Sequence, residues 1–349
     1  MQVGLGLNLA AAIAAGATVE EVGLAIEAIL PDHPMADVAR MGVSFEAIPS
    51  GFTDFYPVGQ TFAYDPEFHE IHYEWDFGDN RAPWKYVELP DGWNNPSKGY
   101  GKRPGHVFTT PGTYTVTCTA RKIKTLDPLV IQVATATTTV TVRDVDEVFG
   151  PGQTFIVDLI NPEGSEDYTG APPGLQVNTY GGASGPSTYI GARLHQWDGC
   201  RIRLKAGKVH PDFYNYRLVG RSADTRCTFF YFDTWGNDAE TGDRFEFRGF
   251  DHRIDQNAHT TYTKLDHVGT YDPPTGKGAV STPGYRFFQQ WSGYVCVHDC
   301  TTTNAGISLA IDDEMPFGPE GRPRKQVFVD DFQHKWCRDY VALIDDNVD

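Results

Sequence analysis

Basic residues are scarce in this chain. Lys and Arg number 29 against 46 Asp and Glu, a formal charge of −17. A surface that grips nucleic acid neutralises phosphates with a net basic footprint. The balance therefore argues against nucleic acid as a partner, and equally against adhesion to an anionic membrane. It reads instead as a solubilising surface. Long apolar runs are also missing: no stretch reaches the roughly 18 residues of a membrane-spanning helix, so no membrane insertion is expected. No Lys or Arg precedes Arg40. The opening MQVGLGLNLAAAIAAGATVEEV imitates a secretion signal, with an apolar stretch and small residues at Ala15-Gly16-Ala17. It lacks the basic start that orients such a segment in the export machinery. Export by that route is not expected.

Cysteine offers little. The six, Cys118, Cys200, Cys227, Cys296, Cys300 and Cys337, include no Cys-x-x-Cys pair, so the zinc and thioredoxin-type spacings are absent. Nor do they suit a disulfide scaffold. In VCVHDC, a strand would point Cys296, His298 and Cys300 the same way. Stacked small thiols explain that trio better than a metal centre does. Catalytic signatures are missing as well: no Gly-x-Ser-x-Gly, no His-Glu-x-x-His, no phosphate-binding glycine loop and no dinucleotide fingerprint. No cofactor is expected. Adjacent acids such as Asp312 with Asp313, or Asp330 with Asp331, would face opposite sides of a strand. Stacked coils could align Asp299 with Asp331 or Asp251 with Asp299, but no glycosidase-like pair can be assigned, and binding is favoured over catalysis.

What the chain does have is glycine (36), aromatics (13%) and few methionines (4). Many Asx turns accompany them, a composition that predicts an all-β fold. At 349 residues there is room for two or three domains. Residues 1–38 form a segment of their own. Val3, Leu5, Leu7 and Leu9 alternate like a strand. Thr18-Val19-Glu20-Glu21 reads as a capping box, which predicts a short helix with Val22, Ile26 and Ile29 or Leu30 on one face, halted by Pro31. Such a segment needs something to bury against, and a docking partner is the favoured reading.

Residues 39–146 predict an antiparallel sandwich. VSFEAI, QTFAYD, IHYEWDFGD, GHVFTTPGTYTVTCTARK and ATATTTVTVRD alternate and are separated by Gly, Pro and Asx turns. In YEWDFGDN the acids Glu74, Asp76 and Asp79 surround Trp75 and Phe77. A metal site would need further spaced oxygen ligands, so the stretch reads as a half-buried strand ending in a turn at Gly78. WDFGD, followed by HVFTTPGTYTVT, resembles the signature of the PKD domain, an immunoglobulin-like sandwich. The resemblance assigns Trp75 to the core, Asp76, Phe77, Gly78 and Asp79 to a strand-end turn, and Pro111, Gly112 and Tyr114 to a tight turn. It departs from the family in a long insertion at Arg81–Arg103. The family implies a rigid spacer, adhesive module or weak polysaccharide binder, and fold alone does not fix which.

From 147 to 349 the pattern changes to short strands at irregular spacing, without hairpin or helical signals. GCRIRLKAGKVH, after an opening strand and a polar lead-in, resembles the early coils of the right-handed parallel β-helix of pectate-lyase-like proteins. A second sandwich or jelly roll is the alternative. An uncapped last strand at IDDNVD creates the expectation that further sequence or a partner covers that end. Aromatics crowd Phe229–Trp235 and Phe287–Tyr294. Alternation would bury about half of them, and the rest would offer platforms for sugar rings. Trp235, Trp291, Tyr294 and Asp233 are the candidate carbohydrate contacts. Spacer followed by β-helix resembles the fibre and spike proteins of tailed bacteriophages. That implies a homotrimer on a virion, docked to other virion proteins through residues 1–38 and contacting host surface polysaccharide. The alternatives are a secreted polysaccharide lyase or hydrolase, and a surface adhesin.

Overall fold

The computed structural model describes residues 16–31, 34–56, 64–81, 95–151 and 153–157, and then the strands between 177 and 344. Strand dominates them. Their helices are two single turns, α1 (Pro66–His69) and α2 (Val145–Val148), so the described residues are mostly strand, in keeping with the all-β fold that composition predicts. It divides into two compact units. The first comprises residues 1–30, 43–108 and 112–142; the second comprises 31–42, 109–111 and 143–349.

Among the described residues up to 142 there are eight strands: β1 (Thr18–Glu21), β2 (Gly23–Ile29), β3 (Met41–Ser50), β4 (His72–Asp76), β5 (Lys98–Tyr100), β6 (Gly105–Phe108), β7 (Gly112–Ile123) and β8 (Val130–Val142). They form a five-stranded sheet in the order β1-β8-β7-β4-β5 and a three-stranded sheet β2-β3-β6. The long β7–β8 ladder is antiparallel from Gly112↔Val142 to Ile123↔Ile131. Alternation sets the faces: Val116, Cys118 and Ala120 are fully buried on β7, while Thr113 and Thr115 are exposed. Phe45 of β3 meets Trp75 at 5.7 Å and Phe77 at 5.6 Å between ring centroids, so side chains of both sheets share one aromatic core. Each ring buried there contributes roughly 1.5–3 kcal/mol.

The YEWDFGD stretch forms a strand and turn, as its alternation predicts. Trp75 is 2% exposed and its indole N–H donates to the Gly101 carbonyl at 2.8 Å. Asp76 accepts from the Gly78 amide at 3.0 Å. Gly78 has φ +75°, and a Cβ there would stand 2.6 Å from the Thr115 carbonyl oxygen. A turn this tight against a neighbouring backbone needs glycine.

The helix expected after Thr18 is not formed; Thr18–Glu21 and Gly23–Ile29 are β1 and β2. β1 runs parallel to β8 from Thr18↔Val130, and β2 pairs antiparallel with β3. The physical reason is that Thr18 and Glu21 are only a local signal, whereas β8 and β3 offer ladder partners from far along the chain, and such tertiary pairing overrides local propensity. Along β2 the half-buried Leu24, Ile26 and Ala28 alternate with exposed Ala25, Glu27 and Ile29, a period of two that separates Ile26 from Ile29. The strand expected at Val3–Leu9 lies outside the described residues.

The second unit continues with β9 (Thr154–Val157), the antiparallel pair β10 (Val177–Gly182) and β11 (Gly185–Ile190), and then strands that return in turn to the same sheets. These are β12 (Cys200–Lys205), β13 (Val209–His210), β14 (Tyr216–Leu218), β15 (Thr228–Trp235), β16 (Phe245–Arg248), β17 (His252–Ile254), β18 (Ala258–Thr263), β19 (Leu265–Val268) and β20 (Arg286–Gln290). They continue with β21 (Tyr294–Thr303), β22 (Ile307–Ile311), β23 (Gln326–Lys335) and β24 (Tyr340–Ile344). β9, β12, β15, β18, β21 and β23 lie side by side in parallel, as do β14, β17, β20, β22 and β24. β13, β16 and β19 are likewise parallel, and β19 joins the second half of β21.

Candidate functional site

Parallel register brings together residues far apart in sequence. One row across six strands reads Thr154, Arg201, Tyr231, Thr261, Cys296 and Phe328. Two residues further along, Arg203 stands beside Asp233, and Thr263, His298 and Asp330 follow one another. Two-residue alternation puts both rows on one face. The face is charged yet closed: Arg201 is 3% exposed, and Asp233 and His298 are 8% exposed.

Arg201 is its hub. Nε and Nη2 donate to Asp233 Oδ2 at 3.1 and 2.5 Å, and Nη1 donates to Asp146 of α2. Arg203 adds a 3.5 Å ion contact to Asp233. Burial alone would lower the Arg201 pKa, but Asp233 and Asp146 outweigh it and raise it. The Arg201 hydrogen bond holds the Asp146 pKa below the usual carboxylate value. Tyr231, fully buried, donates from its hydroxyl to the Ala39 carbonyl at 3.1 Å and accepts from Arg40 Nη1 at 3.2 Å. Burial pushes its pKa up, so the hydroxyl keeps its proton. Tyr294 accepts from the Gly42 amide at 2.8 Å. Gly42 lies so close to the Phe328 ring that a Cβ would stand 2.2 Å from it. Segment 34–42 is tied to Arg143 as well. The Arg143 guanidinium is bidentate to Asp37, and its amide donates to the Asp37 carbonyl at 2.7 Å.

This arrangement anchors chain to chain. The Arg201 fork is filled by the protein's own carboxylates, a charge-assisted geometry of high directional specificity. Burial also pushes the Cys296 thiol far up, which removes it as a nucleophile. His298 Nε2 stands 3.6 Å from Asp330, and Cys300 donates to the His298 carbonyl at 3.3 Å. Among the described residues no three metal-ligating side chains come together.

Of the residues expected to contact sugar, Asp233 and Tyr294 point to internal partners and are 8% and 0% exposed. Neither presents a surface to a ligand. The same alternation that offered them as platforms turns them inward, Asp233 to Arg201 and Tyr294 to the Gly42 amide. Trp235 ends β15 with its side chain outside the described residues, and Trp291 lies outside them altogether. Asp251, Asp312 and Asp313 also lie outside. The register His298↔Asp330 and Cys300↔Phe332 brackets Asp299 and Asp331, whose side chains are not described.

The three acids around Trp75 go to separate partners: Glu74 to Arg121, Asp76 to Lys98, and Asp79 to the His106 imidazole at 2.8 Å. Burial pushes the Asp79 pKa up, and His106, Ser97 and Arg81 outweigh it, so the net shift is down. Gly112 opens β7, and Tyr114 stacks on Phe108 at 4.8 Å; Pro111 precedes them as an exposed residue. Sequence reading assigned no role to Arg40, Asp146, Arg201 or Arg203, and took Tyr231 only as one of the crowded aromatics of Phe229–Trp235. The available signal was Arg-x-Arg in CRIRLK and Tyr-x-Asp in FFYFDTW, two pairs that only parallel register brings together.

No protein family, no curated protein and no solved structure matches the chain.

Proposed function

We propose that the protein is a structural component of a tailed-bacteriophage virion, a fibre or spike. In this reading residues 39–146 are a PKD-type immunoglobulin-like sandwich and residues 147–349 are a right-handed parallel β-helix of the pectate-lyase-like kind. The working form is a homotrimer that attaches to other virion proteins through residues 1–38 and contacts host surface polysaccharide. The observation that supports it most is the order of architectures. A two-sheet unit, antiparallel apart from the β1–β8 pair and carrying the WDFGD and PGTY stretches, is followed by six strands stacked in parallel register, with start residues 154, 200, 228, 258, 294 and 326. Coils that return to the same sheets in the same order are what a solenoid produces. Sugar contact rests on Trp235 and Trp291, since exposed indoles offer large stacking faces.

Antibody raised against the protein should label purified phage particles and block their adsorption. Trp235→Ala and Trp291→Ala should weaken binding to extracted host polysaccharide without unfolding the protein. Recovery from culture medium free of particles would overturn the virion assignment. Release of reducing ends or unsaturated sugars would favour a secreted hydrolase or lyase.

A further inference from the structure

The two carboxylates that hold Arg201 differ in depth. Asp233 is 8% exposed, and its Oδ2 takes both Nε and Nη2 of the guanidinium. Asp146 takes Nη1, yet its side chain is 75% exposed while that of Arg201 is 4% exposed. The Nη1 side of Arg201 therefore meets solvent through the carboxylate it holds. Asp146 stands on the single turn α2, whose N-cap Asp144 accepts from the Asp146 amide at 2.7 Å. Phe149, which ends that turn, is 3% exposed and packs 6.0 Å from the Tyr231 ring centroid. The turn is thus fixed by its backbone and by Phe149, and the Asp146 side chain can swing away without it.

Arg203 completes the position. It lies two residues along β12 from Arg201, on the same face. Its side chain is 27% exposed, and its contact with Asp233 Oδ1 is long, at 3.5 Å. Arg203 Nε and Asp233 Oδ1 are both buried and make no hydrogen bond among the described residues. Native structures rarely leave such atoms so, and the exceptions ask for a reason. The Arg201 hydrogen bond does most to lower the Asp146 pKa, and the charge of Arg203 adds to it. Both cations therefore act on one exposed carboxylate.

Charge selects what else could stand there. Two arginines against the one buried carboxylate of Asp233 leave a single positive charge, in a chain of net charge −17. One carboxylate balances that charge, whereas a phosphate dianion exceeds it. Guanidinium groups also match carboxylates in geometry.

We propose that Asp146 occupies a seat for the carboxylate of a ligand, a small organic acid or an acidic sugar residue, which displaces Asp146 and pairs with Arg201 and Arg203. The inference does not depend on the virion reading. Isothermal titration calorimetry on the full chain at neutral pH tests it, with glucuronate, a glucuronate-containing hexasaccharide, glucose and glucose 6-phosphate as probes. Asp146→Ala removes the internal competitor and should bind glucuronate roughly tenfold more tightly than the parent does, while glucose gains nothing. Adding Arg203→Gln should remove most of that gain. An equal gain for monomer and hexasaccharide supports the seat as one for small acids, and a larger gain for the hexasaccharide supports it as one for acidic sugar chains. No gain in Asp146→Ala, a gain that glucose shares, or one that survives Arg203→Gln overturns the proposal. Tighter binding of glucose 6-phosphate than of glucuronate overturns it too. In the parent, glucuronate should raise the urea midpoint read by hydrogen exchange of peptides within 200–335, because a ligand that binds only the folded state stabilises it. An unmoved midpoint counts against the seat whether or not the variants fold.

Discussion

In the first unit, the side chains that meet between the sheets are rings: Phe45, Trp75 and Phe77 pack within 6.4 Å of one another and carry no charge. On the described face of the second unit, the side chains that meet are Arg201, Asp233, Tyr231 and Asp146, and what holds them is ion pairing. The first kind of contact is non-directional and tolerates small misfit. The second is directional, and becomes costly when one member is lost, because a buried charge is then left without its counter-ion. The comparison teaches that the same strand alternation can serve two ends: closing a core, or fastening a segment to a sheet.

The most damaging test of the first half is Trp75→Ala. It should cost about 3–5 kcal/mol, as large-to-small core changes do, lowering the urea midpoint read by hydrogen exchange of peptides within 43–142. An unmoved midpoint would mean that Trp75 is not a core residue. The corresponding test of the second unit is Asp233→Ala, which leaves Arg201 buried with only the peripheral Asp146. A loss of about 3 kcal/mol is expected in peptides of 200–335. The double change Arg201→Met with Asp233→Leu should recover most of it, since an apolar pair of similar volume removes the desolvation cost. If the double variant is no better than the single, the pair's geometry matters more than its charge.

How much of this was legible follows from the range of the interactions. Antiparallel neighbours such as β7 and β8 are close in sequence, so alternation from the PGTY stretch onward announces both the strands and the buried face. Trp75 could be assigned to the core from YEWDFGD alone. The helix reading of 18–29 failed because Thr18 and Glu21 give a local signal, while the partners that decide the outcome, Val130–Val133 and Ser44–Ser50, lie far along the chain. The same blindness hid the Arg201 cluster. CRIRLK shows two arginines on one face, but nothing local says that Asp233 stands beside Arg203, or that the Tyr231 hydroxyl donates to the carbonyl of Ala39. Composition revealed strand content. Parallel register, set by loops of unequal length, left no such trace.

A smaller effect sharpens the contrast at the turn. Gly78→Ala puts a methyl 2.6 Å from the Thr115 carbonyl at φ +75°, so both backbone conformation and contact oppose it. A loss of more than about 1 kcal/mol is expected, confined to the first unit. If the variant matches the parent, the turn relaxes more readily than its geometry suggests.

The smallest expected effect concerns Asp146, whose side chain is 75% exposed although its partner Arg201 is 4% exposed. The Arg201 hydrogen bond lowers its pKa in the folded protein from 3.8. A carboxylate whose folded pKa is depressed adds stability that is fully present above the unfolded value and is lost as pH falls through the folded one. Its contribution should therefore be intact at neutral pH and fade only below about pH 3.8. Solvent screening limits it to less than about 1 kcal/mol. Asp146→Asn should lower the stability of the second unit slightly at pH 7, and that deficit should shrink as pH falls below 3.8, while the first unit stays unchanged throughout. A difference that persists in acid would show that Asp146 acts through the packing of α2 rather than through its charge.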